Sequence, residues 1–249
     1  MTQMAARDEV PHPSHLKSVV TVVSGSVVFV VVVVVLSRLA KVLFASIMAS
    51  GPRANVTVQL TGAMLSEILV LTLLVLFLRR RGLSLLQLGL WAPSPGRGWI
   101  AAVVVASLFI AFNLALPLRG QKHLAELSLF HIYNSLLAGV VAGFMEEIFF
   151  RGFIMSELAW AGFGKRVQVL ISAILYGLVH SAWGLISGMF TLQLVGGAVV
   201  GTAIFGLACS IVYLLSRRSL MPVIASHAVI DMVIEPWLFM VAVTMIQAH

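Results

Sequence analysis

The chain has 249 residues, of which 60% are hydrophobic and only 10% charged, and its mean hydropathy is +1.06. A soluble domain carries about 25% charged and 45–50% apolar residues, so a water-soluble fold of this length is excluded. The formal net charge of +7 does not point to nucleic acid, because the basic residues sit in short clusters between apolar runs, where the positive-inside rule puts them.

In lipid the backbone must satisfy its own hydrogen bonds, which leaves helices or closed barrels. Long unbroken apolar runs select helices. The expected fold is therefore all-α, a polytopic transmembrane helical bundle of about eight spans. A polar tail, residues 1–17, precedes a valine-rich run from Ser18 to Leu36. That run exceeds the roughly 7–15 residues of a secretory h-region, so it reads as a retained anchor. The spans predicted after it are 56–78, 99–118, 134–158, 167–186, 189–215, 219–234 and 236–248. The last two are short and meet at Glu235-Pro236, which leaves seven as the alternative count. Residues 79–98, with Arg79-Arg80-Arg81, Pro93, Pro95 and Gly96, form the clearest loop. No internal repeat or second domain is visible, so residues 18–249 read as one transmembrane domain.

The charges test this count. With the N-terminus in the cytoplasm, ten basic residues fall inside: Arg7, Lys17, Arg79, Arg80, Arg81, Arg97, Lys165, Arg166, Arg217 and Arg218. Five fall outside: Arg38, Lys41, Arg53, Arg119 and Lys122. Arg38 and Lys41 argue against the first outer loop unless span one runs on toward Ser46 with those side chains snorkelling. Gly196, Gly197 and Gly201 predict close helix packing in span six. The lone Cys209 reads as a small buried hydrophobe.

Ionisable groups at the bilayer centre are expensive and mark function by default. Span four nevertheless contains Glu146, Glu147 and Arg151, span five Tyr176 and His180, and span seven His227 and Asp231. Glu147 and Arg151 are i, i+4 and can pair on one face, the ordinary way a membrane helix tolerates charge. Glu146 is turned about 100° away and needs a partner from another helix. Tyr176–His180 and His227–Asp231 repeat the i, i+4 spacing, and the second suits a carboxylate that orients an imidazole. At ~1.5 Å per residue, Glu146, His180 and His227 all fall in the middle zone of a ~30 Å core. His12, His15, His123, His131 and His249 lie in tails or loop edges.

Glu146-Glu147-xxx-Arg151 resembles the EExxxR signature of the CAAX-protease and bacteriocin-processing (CPBP, or Abi) family of intramembrane endopeptidases. Tyr176-xxx-His180 resembles its FxxxH motif with Tyr for Phe, and His227-xxx-Asp231 its HxxxN motif with Asp for Asn. Arg81-Gly82-Leu83-Ser84 to Gly89-Leu90 is similar to a loop upstream of the motifs in bacterial members, so the family-like core spans about 79–235.

The resemblance implies proteolysis near a membrane surface. Glu146 would activate water, His180 and His227 would polarise the scissile carbonyl or stabilise its oxyanion, and Glu147, Arg151 and Tyr176 would support them. Asp231 departs from the pattern, since an ionised carboxylate only accepts hydrogen bonds. It can donate as a neutral acid, hold His227 as an imidazolium, or ligate a metal; the i, i+4 spacing favours the second. No obligatory cofactor is expected, although Glu146, His180, His227 and Asp231 offer a donor set for zinc. The expected partners are the lipid bilayer and a membrane-associated protein or peptide substrate, and the expected location is a bacterial inner membrane. The competing classes are a non-enzymatic immunity or scaffold protein and a proton-coupled transporter. No broken-helix pair or repeat supports the transporter.

Overall fold

The computed structural model describes residues 13–115, 129–182, 186 and 192–247. The elements among the described residues are all helical, as the apolar runs require. In order come α1 (His15–Leu43), a short α2 (Ala45–Met48), α3 (Pro52–Arg80), α4 (Gly96–Ala115) and α5 (Leu129–Glu147). A π-helical segment (Ile148–Ile154) joins α5 to α6 (Met155–Trp160), and α7 (Lys165–Val179), α8 (Leu192–Leu215) and α9 (Met221–Gln247) follow. Valine is a mediocre helix former in water, yet α1 is valine-rich. Without water to solvate open backbone, the helix is its only outlet.

Among the described residues, four helices are long and apolar enough to cross a membrane by composition: α1, α3, α4 and residues 195–215 of α8. Span one runs on past Arg38 and Lys41 to Leu43, and the Lys41 ammonium donates to the Ile186 carbonyl. The boundary expected at Glu235-Pro236 is absent. α9 continues through it to Gln247, so the two short spans 219–234 and 236–248 are one helix. A proline removes one i→i−4 bond, and a membrane helix tolerates that loss better than it tolerates open backbone in lipid.

Polar contacts gather alternate helix termini at one end of the bundle. There Arg81 binds Glu157 (2.6 Å), Ser18 donates to the Glu157 carbonyl (3.3 Å) and His15 lies against Phe163. Arg97 donates to the Leu215 carbonyl (3.2 Å), and Arg218 to Gln168. The 81–95 loop closes on the α8–α9 turn: Tyr213 donates to the Leu88 carbonyl (2.9 Å) and the Leu220 N–H to the Gly89 carbonyl (3.1 Å). Gly89 has φ +97°, and a Cβ there would lie 1.9 Å from the Arg218 carbonyl oxygen, so the approach requires glycine. All nine described residues of the predicted inner set lie at or next to this end. Arg38, Lys41 and Arg53 lie toward the other; Arg7, Arg119 and Lys122 are outside the described residues.

Two tight helix pairs set the interior. α5 packs on α9, where a Cβ on Gly143 would sit 2.9 Å from the Ala228 nitrogen. α7 packs on α8, where a Cβ on Gly177 would sit 2.6 Å from the Val199 carbonyl oxygen. Small residues let the backbones approach this closely. Among the described residues the close packing expected at Gly196, Gly197 and Gly201 is not found. No described atom lies within 4 Å of a Cβ built on any of them, and α8 makes its tight contact one to two turns later, where Gly206 meets Tyr176 and Ala173.

Candidate active site

Glu146 and Glu147 end α5, and Arg151 lies in the π-helical segment that follows. π-bulges occur often at functional sites. This one turns three phenylalanines onto neighbouring helices: Phe149 and Phe150 against Phe29, Phe150 also against Tyr176, and Phe153 against Phe77. Ser172 on α7 donates to the Phe150 carbonyl (3.1 Å). The seven π-helical residues are all buried. Nothing in the apolar pattern announced the change of helix type.

Arg151 and Glu147 pair as their spacing predicts, Nη1 to Oε1 at 2.9 Å, with both side chains fully buried. Arg151 also donates from Nη2 to the Gly206 carbonyl on α8 (3.1 Å) and lies 4.4 Å from the centre of the Tyr176 ring. One guanidinium therefore ties α5, α7 and α8 together, a task that suits its planar fork of donors.

Glu146 finds the interhelical partner it needed in Tyr176, whose hydroxyl donates to Oε2 at 2.7 Å. The phenylalanine of the family motif has no such donor. The other oxygen, Oε1, faces His180 Nε2 at 3.8 Å, and Oε2 faces His227 Nε2 at 3.9 Å. Both gaps exceed a hydrogen bond and leave each imidazole within reach of a small group shared with the carboxylate. His180 Nδ1 is 2.8 Å from the Tyr176 carbonyl. A carbonyl only accepts, so Nδ1 carries the proton and Nε2 is the nitrogen turned to Glu146.

His227 is held at both ring nitrogens. Nδ1 lies 2.7 Å from Glu147 Oε1 and Nε2 lies 3.3 Å from Asp231 Oδ2. The i, i+4 contact with Asp231 was legible in the spacing; the contact with Glu147 was not. Ionised carboxylates accept only, so His227 stands between two potential acceptors, one at each ring nitrogen. Phe205 stands edge-on to it, with ring centres 4.7 Å apart. Glu146, Glu147, Arg151, Tyr176 and His227 are buried, while His180 and Asp231 are partly open. All seven residues expected at the site thus come together from α5, the π segment, α7 and α9.

Glu67 on α3 was overlooked. It is 4% exposed and lies on α3, which packs against both α5 and α9. Its signal was available: a single carboxylate in an apolar run is the same anomaly that flagged span four. Glu235 lies one turn beyond Asp231 on α9. Among the described residues, no group of three or more His, Cys, Asp and Glu side chains is placed to hold a metal ion.

Residues 128–233 match a family model described as Rce1-like, type II CAAX prenyl endopeptidase. This segment is similar to the CAAX proteases. No curated protein and no solved structure matches the chain. The Rce1-like segment contains Glu146, Glu147, Arg151, Tyr176, His180, His227 and Asp231, so the resemblance read from the three motifs stands. It begins after the 79–98 loop and leaves Glu67 outside.

Proposed function

We propose that the protein is an intramembrane endopeptidase that hydrolyses a peptide bond of a membrane-associated protein or peptide. The observation that carries this reading is the placement of Glu146. Tyr176 fixes one carboxylate oxygen, and the carboxylate stands just beyond hydrogen-bond distance of two imidazole nitrogens.

In this mechanism Glu146 takes a proton from water as the water oxygen bonds to the scissile carbonyl carbon. The oxyanion is met by the Nε2–H of a His227 imidazolium, or by His180 when its Nε2 also carries a proton. The proton on Glu146 then passes to the amide nitrogen as the C–N bond breaks. Glu147 and Asp231 hold the His227 ring, and Arg151 balances Glu147. Purified protein reconstituted in vesicles with membrane-tethered peptides tests the activity. Comparing cleaved membrane proteins from cells with and without the active protein identifies the substrate. Absence of any cleavage in both experiments would favour a non-enzymatic scaffold.

Asp231 acts in this scheme by stabilising the His227 imidazolium. Asp231→Asn keeps the shape but removes the anion, so turnover should fall about tenfold, equivalent to ~1.4 kcal/mol of barrier. Full turnover in this variant would instead assign Asp231 the role of a neutral donor. The reaction is proposed to need no resident metal, and incubation with a strong zinc chelator should leave the wild-type rate unchanged.

The basic end of the bundle is proposed to face the cytoplasm, with the N-terminus on the same side, by the positive-inside rule. Reporter fusions near Pro95 and near Lys165 should both report cytoplasm. A signal from the opposite side at either position rejects this orientation.

A further inference from the structure

Glu67 is the only carboxylate of α3 and lies near the middle of that helix. Counted from the basic end at ~1.5 Å per residue, Glu67 on α3 and Glu146 on the α5–α6 rod both lie ~20 Å along their helices. α3 packs against α5 and α9, the helices that carry Glu146, His227 and Asp231. Glu67 is 4% exposed, its Oε2 has no hydrogen-bond partner among the described residues, and Met64, one turn before it, shares a packed cluster with Ala142, one turn before Glu146.

The charges around it leave little room for another anion. The α5 and π segment bring Glu146, Glu147 and Arg151, and α9 brings His227, Asp231 and Glu235. Arg151 is engaged by Glu147 and Gly206. The cations of α1, Arg38 and Lys41, sit in its last two turns, and Lys41 donates to Ile186. An ionised Glu67 would add an anion to Glu146 and Asp231 around one imidazolium. Two neighbouring carboxylates in such a site avoid this by retaining a proton between them.

We propose that Glu67 is a further positioning residue of the site, a neutral carboxylic acid whose retained proton leaves Glu146 as the anion that takes a proton from water. This rests on the hydrolytic reading above. The proton on Glu67 is not consumed. In each turnover the water proton goes to Glu146 and then to the leaving nitrogen, and Glu67 ends as it began.

Infrared spectroscopy of the protein in bilayers tests the protonation directly and needs no substrate. The wild type should show a carboxylic-acid carbonyl band at neutral pH that is absent in Glu67→Gln and kept in Glu146→Gln. Glu67→Asp retains the acid and should move the band, which preserves the test if Glu67→Gln does not fold. In cleavage assays Glu67→Gln should shift the pH profile of turnover, remaining active to higher pH, because no second carboxyl is left to ionise beside the base. An acid band unchanged in both Glu67 variants overturns the proposal. So does a loss of turnover of about a hundredfold or more in Glu67→Gln, which would make Glu67 a reacting carboxylate. Undiminished cleavage in Glu146→Gln would instead reject the hydrolytic reading, and the infrared band would still decide the state of Glu67.

Discussion

Glu146→Gln should lower turnover by about 10²–10⁴-fold, the range that general acid–base catalysis supplies, while leaving the protein folded. Glutamine keeps the length and shape of the side chain. Its amide oxygen can still accept from the Tyr176 hydroxyl, which now lies 2.7 Å from the carboxylate. What it cannot do is take a proton from water. The variant also removes one anion from a buried cluster, so its thermal stability should match or exceed that of the wild type. Turnover and melting temperature measured on the same preparations check both halves. Wild-type turnover in Glu146→Gln would remove Glu146 from the mechanism, whereas loss of folded protein would make it a structural residue.

Arg151→Ala should be the most destabilising single change at the site. Glu147 and Arg151 are both fully buried, and removing one partner of such a pair costs about 3–5 kcal/mol because the other charge is stranded. For a protein of this size that corresponds to a drop in melting temperature of roughly 10 °C. Arg151 also holds the Gly206 carbonyl on α8 and covers the Tyr176 ring, so the loss reaches three helices. Arg151→Lys should recover only part of the stability, since an ammonium lacks the planar fork that serves Glu147 and Gly206 together. Replacing both charges, Glu147→Gln with Arg151→Met, should restore much of the stability without the activity. The stranded carboxylate is then gone, but His227 still lacks the anion at Nδ1. Thermal unfolding in detergent or lipid distinguishes the four proteins. A melting temperature unchanged in Arg151→Ala would show that the pair does not hold the bundle together.

The residues that sequence reading identified share one property: each is a polar anomaly in a run long enough to cross a bilayer. Glu146, Glu147, Arg151, His180, His227 and Asp231 stand out because a charge in lipid demands a reason, and the i, i+4 spacing identified the partners that lie on one helix. Helical class was settled in the same way, because lipid forbids open backbone. The extension of α1 past Lys41 was legible from charge alone.

Contacts between helices were beyond that reach. Spacing shows which groups share a face of one helix, but not which helix that face meets. Only the packed bundle brings Tyr176 to Glu146, Glu147 to His227, and Arg151 to the Gly206 carbonyl. Local composition also left open the continuity of α9 at Pro236, since proline breaks helices readily in water but not where lipid penalises exposed backbone. The glycines of α8 invited a contact at Gly197 and Gly201 that the packing makes at Gly206. The widening of the helix after Glu147 answers to side-chain packing on three neighbours, and Glu67 acquires its meaning only when α3 is laid against α5 and α9. The sequence by itself therefore determined the class of the fold and the inventory of chemical groups. The tertiary structure decided their pairing, because interhelical register depends on the fit of whole helix surfaces and no local pattern encodes it.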